Sequence, residues 1–513
     1  MRNAVLLFGI ALLASLYSSC RKDFDFRQVQ STELRFSRDT VYLDTVFTNI
    51  SSATYTLKVY NQSDDPISIP SIYLENGAKS NFRLNVDGRV GKSFDAVELL
   101  PNDSMYVFVE TTADIQQLTS SNTQFLYEDK IHFSDVGAVT LMTLVQDAVF
   151  LYPEKDSQGI KENILIGDTA NNIAVEGRYL KDNELIFTNE KPYVVYGYMG
   201  VPSGKTVTFE AGARLHFYKN SGIIVANDAT MIVDGTASSD TEKREGEVIF
   251  EGDRLEALYD YIPGQWGAIW LTAGSTQHKF NHATIKNATV GILMDYNDET
   301  NSPTLTLENT QIHNSSAFNL WGKTAYISSV NSVFGNAGQS SFAGTIGGKY
   351  DFKHCTFANY WTKGFRTTPA VLLNDYAQLA DGSNFIKPLN VATFENCIIE
   401  GNKLVEFFVE QEGSDTLNFY LDHTALQFES SNTAIFNNPF FDWDDNNYYN
   451  QIIRNGNPAF VIAEDNDMRI TQHSDFLAKG AASVGASIPI DLAGNVRTSP
   501  PDLGAYQHVI IEN

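Results

Sequence analysis

The chain has 513 residues, 43% of them hydrophobic, and it carries a formal net charge of −26 at pH 7 with only three cysteines. That length allows two or more domains, and so few cysteines exclude a fold that depends on a disulfide framework. The negative charge disfavours nucleic acid, whose phosphates need Lys and Arg, and it repels polyanionic glycans unless Ca²⁺ or a local basic patch intervenes.

Residues 1–19 are predicted to be a targeting segment. Arg2 gives the segment a positive start, and the twelve residues Val5–Leu16 form an uninterrupted apolar run. Such a run is too short to span a bilayer, but it has the length of a signal-peptide core. No later apolar run reaches the length that a membrane-spanning helix needs.

The residues after this run contain a possible lipidation site. Ser18 and Ser19 precede Cys20, and Tyr17 stands where a lipoprotein box usually has a smaller or aliphatic residue. The stretch resembles the looser lipoprotein boxes of the Bacteroidota. The resemblance implies a diacylglycerol on Cys20, a tether over residues 20–30, and a lipid-anchored protein exposed at the outer membrane. The alternative is an ordinary secretory peptide in which Cys20 has no role.

Residues 31–150 are predicted to form a separate all-β domain. Apolar runs of strand length recur there, and in one of them Tyr55, Leu57 and Val59 alternate with polar residues. Turn signals such as Asn76-Gly77 separate the runs. Short strands at this spacing predict a β-sandwich. The segment resembles immunoglobulin-like modules of the abnormal-spindle type, and it carries no catalytic motif, which favours a spacer or docking role.

An eight-residue phrase recurs six times in the second half of the chain. It reads large apolar or Ser, any residue, Asn or His, small, any residue, apolar, any residue, and usually Asn. The copies begin at Phe280, Leu307, Ser329, Phe352, Phe394 and Leu421, so successive starts lie 27, 22, 23, 42 and 27 residues apart. A period in the low twenties predicts a repeat architecture.

Each copy is predicted to contribute a short strand to a stack of coils. The small and second apolar positions are two residues apart, so they face the same side of a strand. Stacking the coils about 4.8 Å apart would bury that side. Asn at the end of the phrase suits a turn.

The repeat resembles right-handed parallel β-helix proteins of the pectate-lyase-like superfold. The segment 201–270 resembles the opening coils of β-helix lipoproteins of unassigned activity in the Bacteroidota. Asp491–Arg497 and Pro501–Tyr506 resemble the closing motif of bacterial β-helix proteins. The predicted fold is therefore all-β, a sandwich followed by a solenoid: residues 151–192 form an irregular connection, 193–478 the β-helix, and 479–513 a C-terminal cap in which Tyr506 covers the last coil.

Motifs of the polysaccharide-cutting β-helix enzymes are missing from the sequence. No Gly-His-Gly occurs, and Arg469-Ile470 is followed by Thr471 where those enzymes have Lys. Asp444-Asp445 is the only Asp-Asp pair of the predicted solenoid. Nucleophile-elbow, phosphate-loop and dinucleotide signatures are also missing.

An acidic and aromatic loop is the predicted ligand-binding site. Its candidate residues are Asp442, Trp443, Asp444, Asp445, Tyr448 and Tyr449. The acids could hold a sugar or Ca²⁺, the one cofactor considered, although the EF-hand spacing is not met. The aromatics, like Trp321, Tyr360 and Trp361, could stack on sugar rings. The alternatives are a solvated loop for the acids and core packing for the aromatics.

Two sets of repeat positions test the coil count. His282, His354 and His423 share one position of the repeat. His282 and His354 lie at least three coils, roughly 14 Å, apart, which predicts a polar ladder and no metal site.

Cys355 and Cys397 share the small position of the repeat. If the 42 residues between the two repeat copies make one coil with a long loop, the two Cα atoms lie about 4.8 Å apart, within disulfide range. Two coils match the prevailing period better, which predicts free, buried thiols roughly 9.6 Å apart.

These observations favour a non-enzymatic, lipid-anchored surface protein that binds a glycan or another surface protein through its solenoid face. The rival hypotheses are a polysaccharide lyase or glycoside hydrolase with an unfamiliar site, and a purely structural spacer. An acid–base cluster on one solenoid face would favour the enzyme. An exposed aromatic row without such a cluster would favour the binding protein.

Overall fold

The structure, a computed structural model, describes residues 24–119, 122–167, 173–240, 243–413, 416–430 and 438–512. The predicted targeting segment and Cys20 lie outside the described residues. The chain divides into two compact units, Met1–Asp147 and Ala148–Asn513. Both units are all-β, and long parallel sheets dominate the second. No helix within the described ranges has the length and apolar character needed to cross a membrane.

Within the described residues 24–119 and 122–147, the N-terminal unit has eleven strands and one short helix. The strands are β1 (Arg27–Gln28), β2 (Leu34–Phe36), β3 (Thr40–Phe47), β4 (Tyr55–Asn61), β5 (Ile67–Leu74), β6 (Phe82–Val86), β7 (Arg89–Gly91), β8 (Ser93–Leu99), β9 (Ser104–Thr111), β10 (Gln124–Phe133) and β11 (Gly137–Gln146). The helix α1 (Ile115–Leu118) begins after Asp114, whose side chain accepts the Gln116 N–H and so satisfies one free donor of the first turn.

Two sheets of the N-terminal unit enclose one apolar core. One sheet has the order β1-β5-β10-β11-β3 with β8 beside β5, and the other has the order β2-β4-β9-β6-β7. Leu57 and Val59 are fully buried, whereas Thr56, Lys58 and Tyr60 are not. This alternation places every second side chain in the core, as the sequence pattern predicts.

The C-terminal unit contains the remaining strands and a second short helix, α2 (Ala482–Ser487). The strands as far as the middle of the unit are β12 (Val149–Leu151), β13 (Asn163–Ile166), β14 (Ile173–Tyr179), β15 (Ile186–Phe187), β16 (Tyr193–Val195), β17 (Tyr198–Val201), β18 (Thr206–Glu210), β19 (Arg214–Phe217), β20 (Gly222–Val225), β21 (Thr230–Asp234), β22 (Val248–Gly252), β23 (Trp266–Leu271), β24 (His278–Asn281), β25 (Ala283–Lys286), β26 (Ala288–Asp295), β27 (Leu305–Glu308) and β28 (Gln311–His313). The others are β29 (Phe318–Val330), β30 (Val333–Phe334), β31 (Phe342–Lys353), β32 (Thr356–Asn359), β33 (Val371–Asn374), β34 (Tyr376–Gln378), β35 (Asn384–Ile386), β36 (Leu389–Glu395), β37 (Ile398–Gly401), β38 (Phe407–Glu410), β39 (Tyr420–Asp422), β40 (Ala425–Leu426), β41 (Tyr449–Asn450), β42 (Ile453–Arg454), β43 (Phe460–Ile462) and β44 (Asp467–Ile470).

Three parallel ladders run through the C-terminal unit. The first ladder is β14-β17-β20-β23-β26-β29-β31-β33-β38. The second is β15-β18-β21-β24-β27-β29-β31-β36-β39-β41, and the long strands β29 and β31 belong to both. The third is the eleven-stranded sheet β12-β16-β19-β22-β25-β28-β30-β32-β37-β40-β42. The chain contributes a strand to each ladder in turn and then returns to the first ladder. We call one such circuit a passage, and each strand pairs with the equivalent strand of the next passage.

The six sequence repeats occupy equivalent places in successive passages. The large position of each copy pairs in register with the next along the second ladder, from Phe280 to Leu421. The apolar position does the same along the third ladder, from Ile285 to Leu426. Because equivalent repeat positions carry side chains of similar character in neighbouring strands, these side chains pack against one another along the whole stack.

The Asn or His of each repeat has a left-handed backbone conformation between the second and third ladders. The φ angles, in chain order, are 45°, 49°, 51°, 51°, 55° and 43° at His282, Asn309, Asn331, His354, Asn396 and His423. Asn and His are among the non-glycine residues most often found in this region. Their side chains also bond along the stack: the Asn331 amide donates to Asn309 Oδ1 at 3.3 Å, and the Asn396 amide donates to His354 Nε2 at 2.9 Å. These contacts form the predicted polar ladder only in part, because the His282 and His423 rings hydrogen-bond to the preceding residues, Asn281 and Asp422.

The predicted coil count between the two cysteines is wrong. Strand β32 pairs directly with β37, so Cys355 and Cys397 lie in adjacent passages of the chain. The additional residues form an excursion that contains the antiparallel hairpin β34–β35, so the 42-residue spacing is one long passage instead of two short ones. Both thiols are buried and free.

Two predicted boundaries also differ from the structure. The segment 151–192 contains strands that join the ladders, because buried side chains such as Ile164 and Phe187 give even these polar stretches an inward face. The C-terminal tail does not cover the last coil. The Tyr506 hydroxyl contacts Gln311 Oε1 at 3.3 Å, and the Ala505 N–H donates to Thr356 Oγ1 at 3.0 Å, so the tail lies against the middle strands of the third ladder.

Candidate functional site

The predicted binding loop begins with a single turn of 3₁₀ helix, Pro439–Phe441, just before the last strands of the ladders. The Asn438 side chain accepts the Phe440 N–H at 3.0 Å and fixes the start of that turn. Further along, the Asp445 carbonyl accepts the N–H groups of Tyr448 and Tyr449. This second turn directs the acidic side chains outward and the tyrosine rings inward.

Tyr448 and Tyr449 complete the core at the end of the ladders. Tyr449 is 2% exposed, and its hydroxyl donates to the Phe440 carbonyl at 2.6 Å. Burial raises the pKa of the Tyr449 phenol. Tyr448 stacks on Phe419 with ring centroids 4.6 Å apart and an interplanar angle of 15°. The structure therefore places both rings in packing contacts that cover the otherwise open apolar end.

Trp443 is half-buried and held on several sides. Its ring centroid lies 4.8 Å from that of Phe428 and 4.7 Å from that of Tyr449. The Arg454 guanidinium lies 5.0 Å from the Trp443 ring centroid, within cation–π range. Packing and the cation together fix the orientation of the indole, so its free edge is pre-organised for contact with a ligand.

An open pocket of ≈ 480 Å³ lies beside this indole. It is lined by Phe428, Asn438, Pro439, Phe441, Asp442, Trp443, Asp444 and Arg454. Its volume is within the range of small-molecule sites. The structure thus brings together three of the predicted residues and excludes Asp445, whose carboxylate accepts the Asn447 N–H at 2.9 Å within the turn. Arg454 was not predicted as a site residue, because nothing in the sequence around it indicates a contact with Trp443.

The two acids of the pocket lack the surroundings of an acid–base pair. Asp442 and Asp444 are both exposed, and Asp442 Oδ1 accepts the Asp444 N–H at 3.3 Å. A carboxyl that acts as a general acid near neutral pH needs burial or a like charge to retain its proton. The arrangement therefore suits hydrogen bonding to hydroxyl groups better than proton transfer.

Two buried carboxyls with perturbed surroundings lie elsewhere in the C-terminal unit. Glu406 is fully buried, and Arg366 donates to both of its carboxylate oxygens. Burial, reinforced by the negative charge of Glu406, raises the pKa of Glu400 to about 8. Glu400 is only 2% exposed. Because both carboxyls are closed to solvent, neither can reach a polymeric substrate in this conformation.

An apolar row with a tryptophan at each end lies on the first ladder, and the sequence pointed only to Trp321 among its members. Trp270 pairs in register with Leu293, and Leu293 with Trp321. The indole N–H of Trp270 donates to Asp295 at 2.6 Å, and Lys323 Nζ lies 4.3 Å from the Trp321 ring centroid. The three side chains share one side of the ladder because they occupy equivalent positions in successive passages. Only the strand register reveals this row, since its members are 23 and 28 residues apart.

Comparisons with known proteins give little further information. No protein-family model matches the chain, and no curated protein is a significant match to it. Among solved structures, an ASH / PapD-like domain of human CEP192 (PapD-like domain 7) is similar over 26% of this chain and 94% of its own length. The identity is 10% and the TM-score is 0.14, and a TM-score of that size does not assign a fold.

Proposed function

We propose that this protein is a lipid-anchored component of the cell envelope that binds a glycan without cleaving it. The observation that carries the proposal is the pocket in which the Trp443 indole, the Arg454 guanidinium and the exposed Asp442 and Asp444 carboxylates converge. An apolar wall with a few convergent polar groups is the usual form of a small-molecule site.

We infer that the C-terminal unit is a right-handed parallel β-helix of the pectate-lyase-like type. In support, the chain visits three parallel ladders in turn, and the repeats remain in register from one passage to the next. For the N-terminal unit we infer an immunoglobulin-like sandwich, supported by two sheets around a single core. In this arrangement the β-helix offers the binding surface.

The mixed polarity of the pocket favours a neutral sugar. Asp442 and Asp444 can accept hydrogen bonds from hydroxyl groups, and Arg454 can donate them. A polyanion would meet two exposed carboxylates as well as the chain's net charge of −26. Trp443 supplies a flat apolar surface that can pack against the carbon face of a sugar ring.

The binding hypothesis is tested by a glycan-array screen and a product-release assay on the same preparation. We expect glycan capture with no product from neutral or acidic polysaccharides, with or without Ca²⁺. Arg454→Ala and Trp443→Ala should each lower glycan affinity at least tenfold. Tyr218→Ala is the control, because Tyr218 is an exposed aromatic residue of the same unit that does not line the pocket.

Because Trp443 also packs on Phe428 and Tyr449, the thermal unfolding of each variant must be recorded alongside binding. Loss of affinity in Arg454→Ala with an unchanged melting temperature supports the pocket as the site. Product release that disappears in Asp444→Ala would establish the rival hypothesis, a lyase or hydrolase. Equal losses in the pocket variants and in Tyr218→Ala would place binding elsewhere.

A further inference from the structure

The outward face of one sheet in the N-terminal unit has a patch of cations and aromatic rings. Strand β2 pairs Arg35 with Tyr60 of β4, and β4 in turn pairs Lys58 with Tyr106 of β9. Phe108 lies two residues beyond Tyr106, so its ring emerges on the same side. Tyr106 is 50% exposed and Phe108 is 40% exposed. We refer to Arg35, Lys58, Tyr60, Tyr106 and Phe108 as the cationic face.

The cations of this face lie over the rings. The Arg35 guanidinium is 4.9 Å from the Tyr60 ring centroid. Lys58 Nζ is 5.1 Å from the Tyr60 centroid and 5.3 Å from that of Tyr106. These cation–π contacts hold the positive groups in place. The faces of Tyr60 and Tyr106 are therefore partly occupied by cations, which favours an anionic group over a stacked neutral sugar.

The charge of this face is opposite to that of the whole chain. Among the outward side chains of its described strands, Arg35, Lys58 and Arg83 are cationic, and Glu110 is the one carboxylate. Glu110 is already paired with Arg83 at 3.4 Å. Asp103, in the turn before β9, directs its carboxylate to the Ser104 N–H at 2.7 Å. The screening length is about 8 Å at physiological ionic strength, so distant acids of the chain do not cancel this local charge.

We propose that the cationic face docks on the anionic headgroups of a membrane surface. The cations and rings of this face are spread over three neighbouring strands, which matches a planar array of phosphates. Lys and Arg beside aromatic rings are also the side chains that suit the boundary between water and lipid.

The chain length before the sandwich supports the same partner. This step rests on the proposed anchoring: if Cys20 carries lipid, only the six residues 21–26 lie between it and Arg27, the start of β1. The seven Cα–Cα steps from Cys20 to Arg27 reach at most about 25 Å when fully extended. The N-terminal unit would then be confined beside the headgroups, where each cation adds to the attraction.

The proposal is tested with the chain that lacks residues 1–19 and carries Cys20→Ser, so that no lipid is attached. Binding is measured by co-sedimentation with phosphatidylcholine vesicles, with and without phosphatidylglycerol. We expect binding only to the vesicles that contain phosphatidylglycerol, and we expect it to weaken as salt is raised. Lys58→Glu should lower partitioning by about 25-fold, about fivefold for each unit of charge.

Lys130→Glu is the matched control, because Lys130 is an exposed lysine of the other sheet and undergoes the same change of charge. A loss below about twofold in this control, with the large loss in Lys58→Glu, supports the cationic face. Equal losses in the two variants, or no preference for phosphatidylglycerol, would overturn the proposal. Binding to a soluble acidic polysaccharide such as alginate, with none to vesicles, would overturn it in favour of a glycan partner. The assay uses unlipidated protein, so its outcome is independent of acylation at Cys20 and of sugar binding beside Trp443.

Discussion

Cys355 and Cys397 occupy the same repeat position, each immediately before one of two directly paired parallel strands, although they are 42 positions apart in the chain. Neighbouring strands lie about 4.8 Å apart, which is within the Cα separation that a disulfide can span. Both side chains are buried, and burial raises the pKa of the Cys397 thiol. The folded protein therefore contains a thiol pair that is close enough to bond but shielded from reagents.

This arrangement predicts that the two thiols react differently with alkylating reagents in the folded and in the denatured protein. In the folded protein neither thiol should be alkylated by iodoacetamide, because both side chains are buried and the reagent is excluded from them. After denaturation in guanidinium both should react fully. A chain refolded with oxidised glutathione should yield a peptide containing the Cys355–Cys397 cross-link in its mass-spectrometric map. Rapid alkylation of the native chain would contradict the burial of the pair.

Glu400 predicts a pH dependence of stability. Burial raises the pKa of its carboxyl to about 8, whereas an unfolded glutamate titrates near 4.5. Between these two pH values the folded protein keeps a proton on Glu400 that the unfolded chain has lost. The free energy of unfolding therefore has its full contribution from Glu400 below pH 4.5, and this contribution is lost as the pH rises towards 8. The total loss is on the order of a few kcal/mol.

Glu400→Gln should flatten this decline, because the amide does not titrate. The measurement is the free energy of unfolding in urea at several pH values between 4.5 and 8.5. Glu429→Gln is a suitable control, since Glu429 is exposed. A slope that is the same in the Glu400→Gln and parent proteins would show that Glu400 is not protonated in the fold.

The buried pair of Arg366 and Glu406 predicts a large loss of stability when the cation alone is removed. Both side chains are almost fully buried, and the Lys403 and Ala370 N–H groups also donate to Glu406. Arg366→Met would leave a buried carboxylate without its partner, at a cost of about 3–5 kcal/mol. The double variant Arg366→Met/Glu406→Leu should recover much of that loss, because no charge then remains buried.

Urea unfolding of these variants can be compared with Arg254→Met. Arg254 and Glu256 form a more exposed pair at 2.7 Å, and removing the cation there should cost at most about 1 kcal/mol. Similar losses for Arg254→Met and Arg366→Met would show that the burial of the latter pair has little energetic effect.

The lipid anchor is tested through Cys20. Cells expressing the chain should incorporate a labelled fatty acid into it, and Cys20→Ser should abolish the label because the acceptor sulfur is gone. After a high-salt wash, which weakens electrostatic attraction to headgroups, the same change should leave the protein in the soluble fraction, since only acyl chains would resist that wash. Label that remains after the substitution would exclude the lipoprotein hypothesis.

The repeat phrase by itself determined much of the C-terminal unit. Its small and second apolar positions, such as Cys355 and Phe357, had to face the same side because residues two apart share one side of a strand. Its Asn or His position was also informative, because His354 and Asn396 are of types that tolerate the left-handed turn found there. The alternation around Leu57 determined the inward faces of the N-terminal unit in the same way. These features were readable because each depends on residues close together in the chain.

The tertiary structure alone decided the features that depend on contacts between distant residues. The passage between Cys355 and Cys397 has the length of two ordinary coils, and only the pairing of β32 with β37 shows that it is one. Arg454 reaches Trp443 across a turn, and Arg366 meets Glu406 forty residues further along the chain. Local sequence patterns do not predict these contacts, because the contacts form only when whole passages of the chain stack on one another.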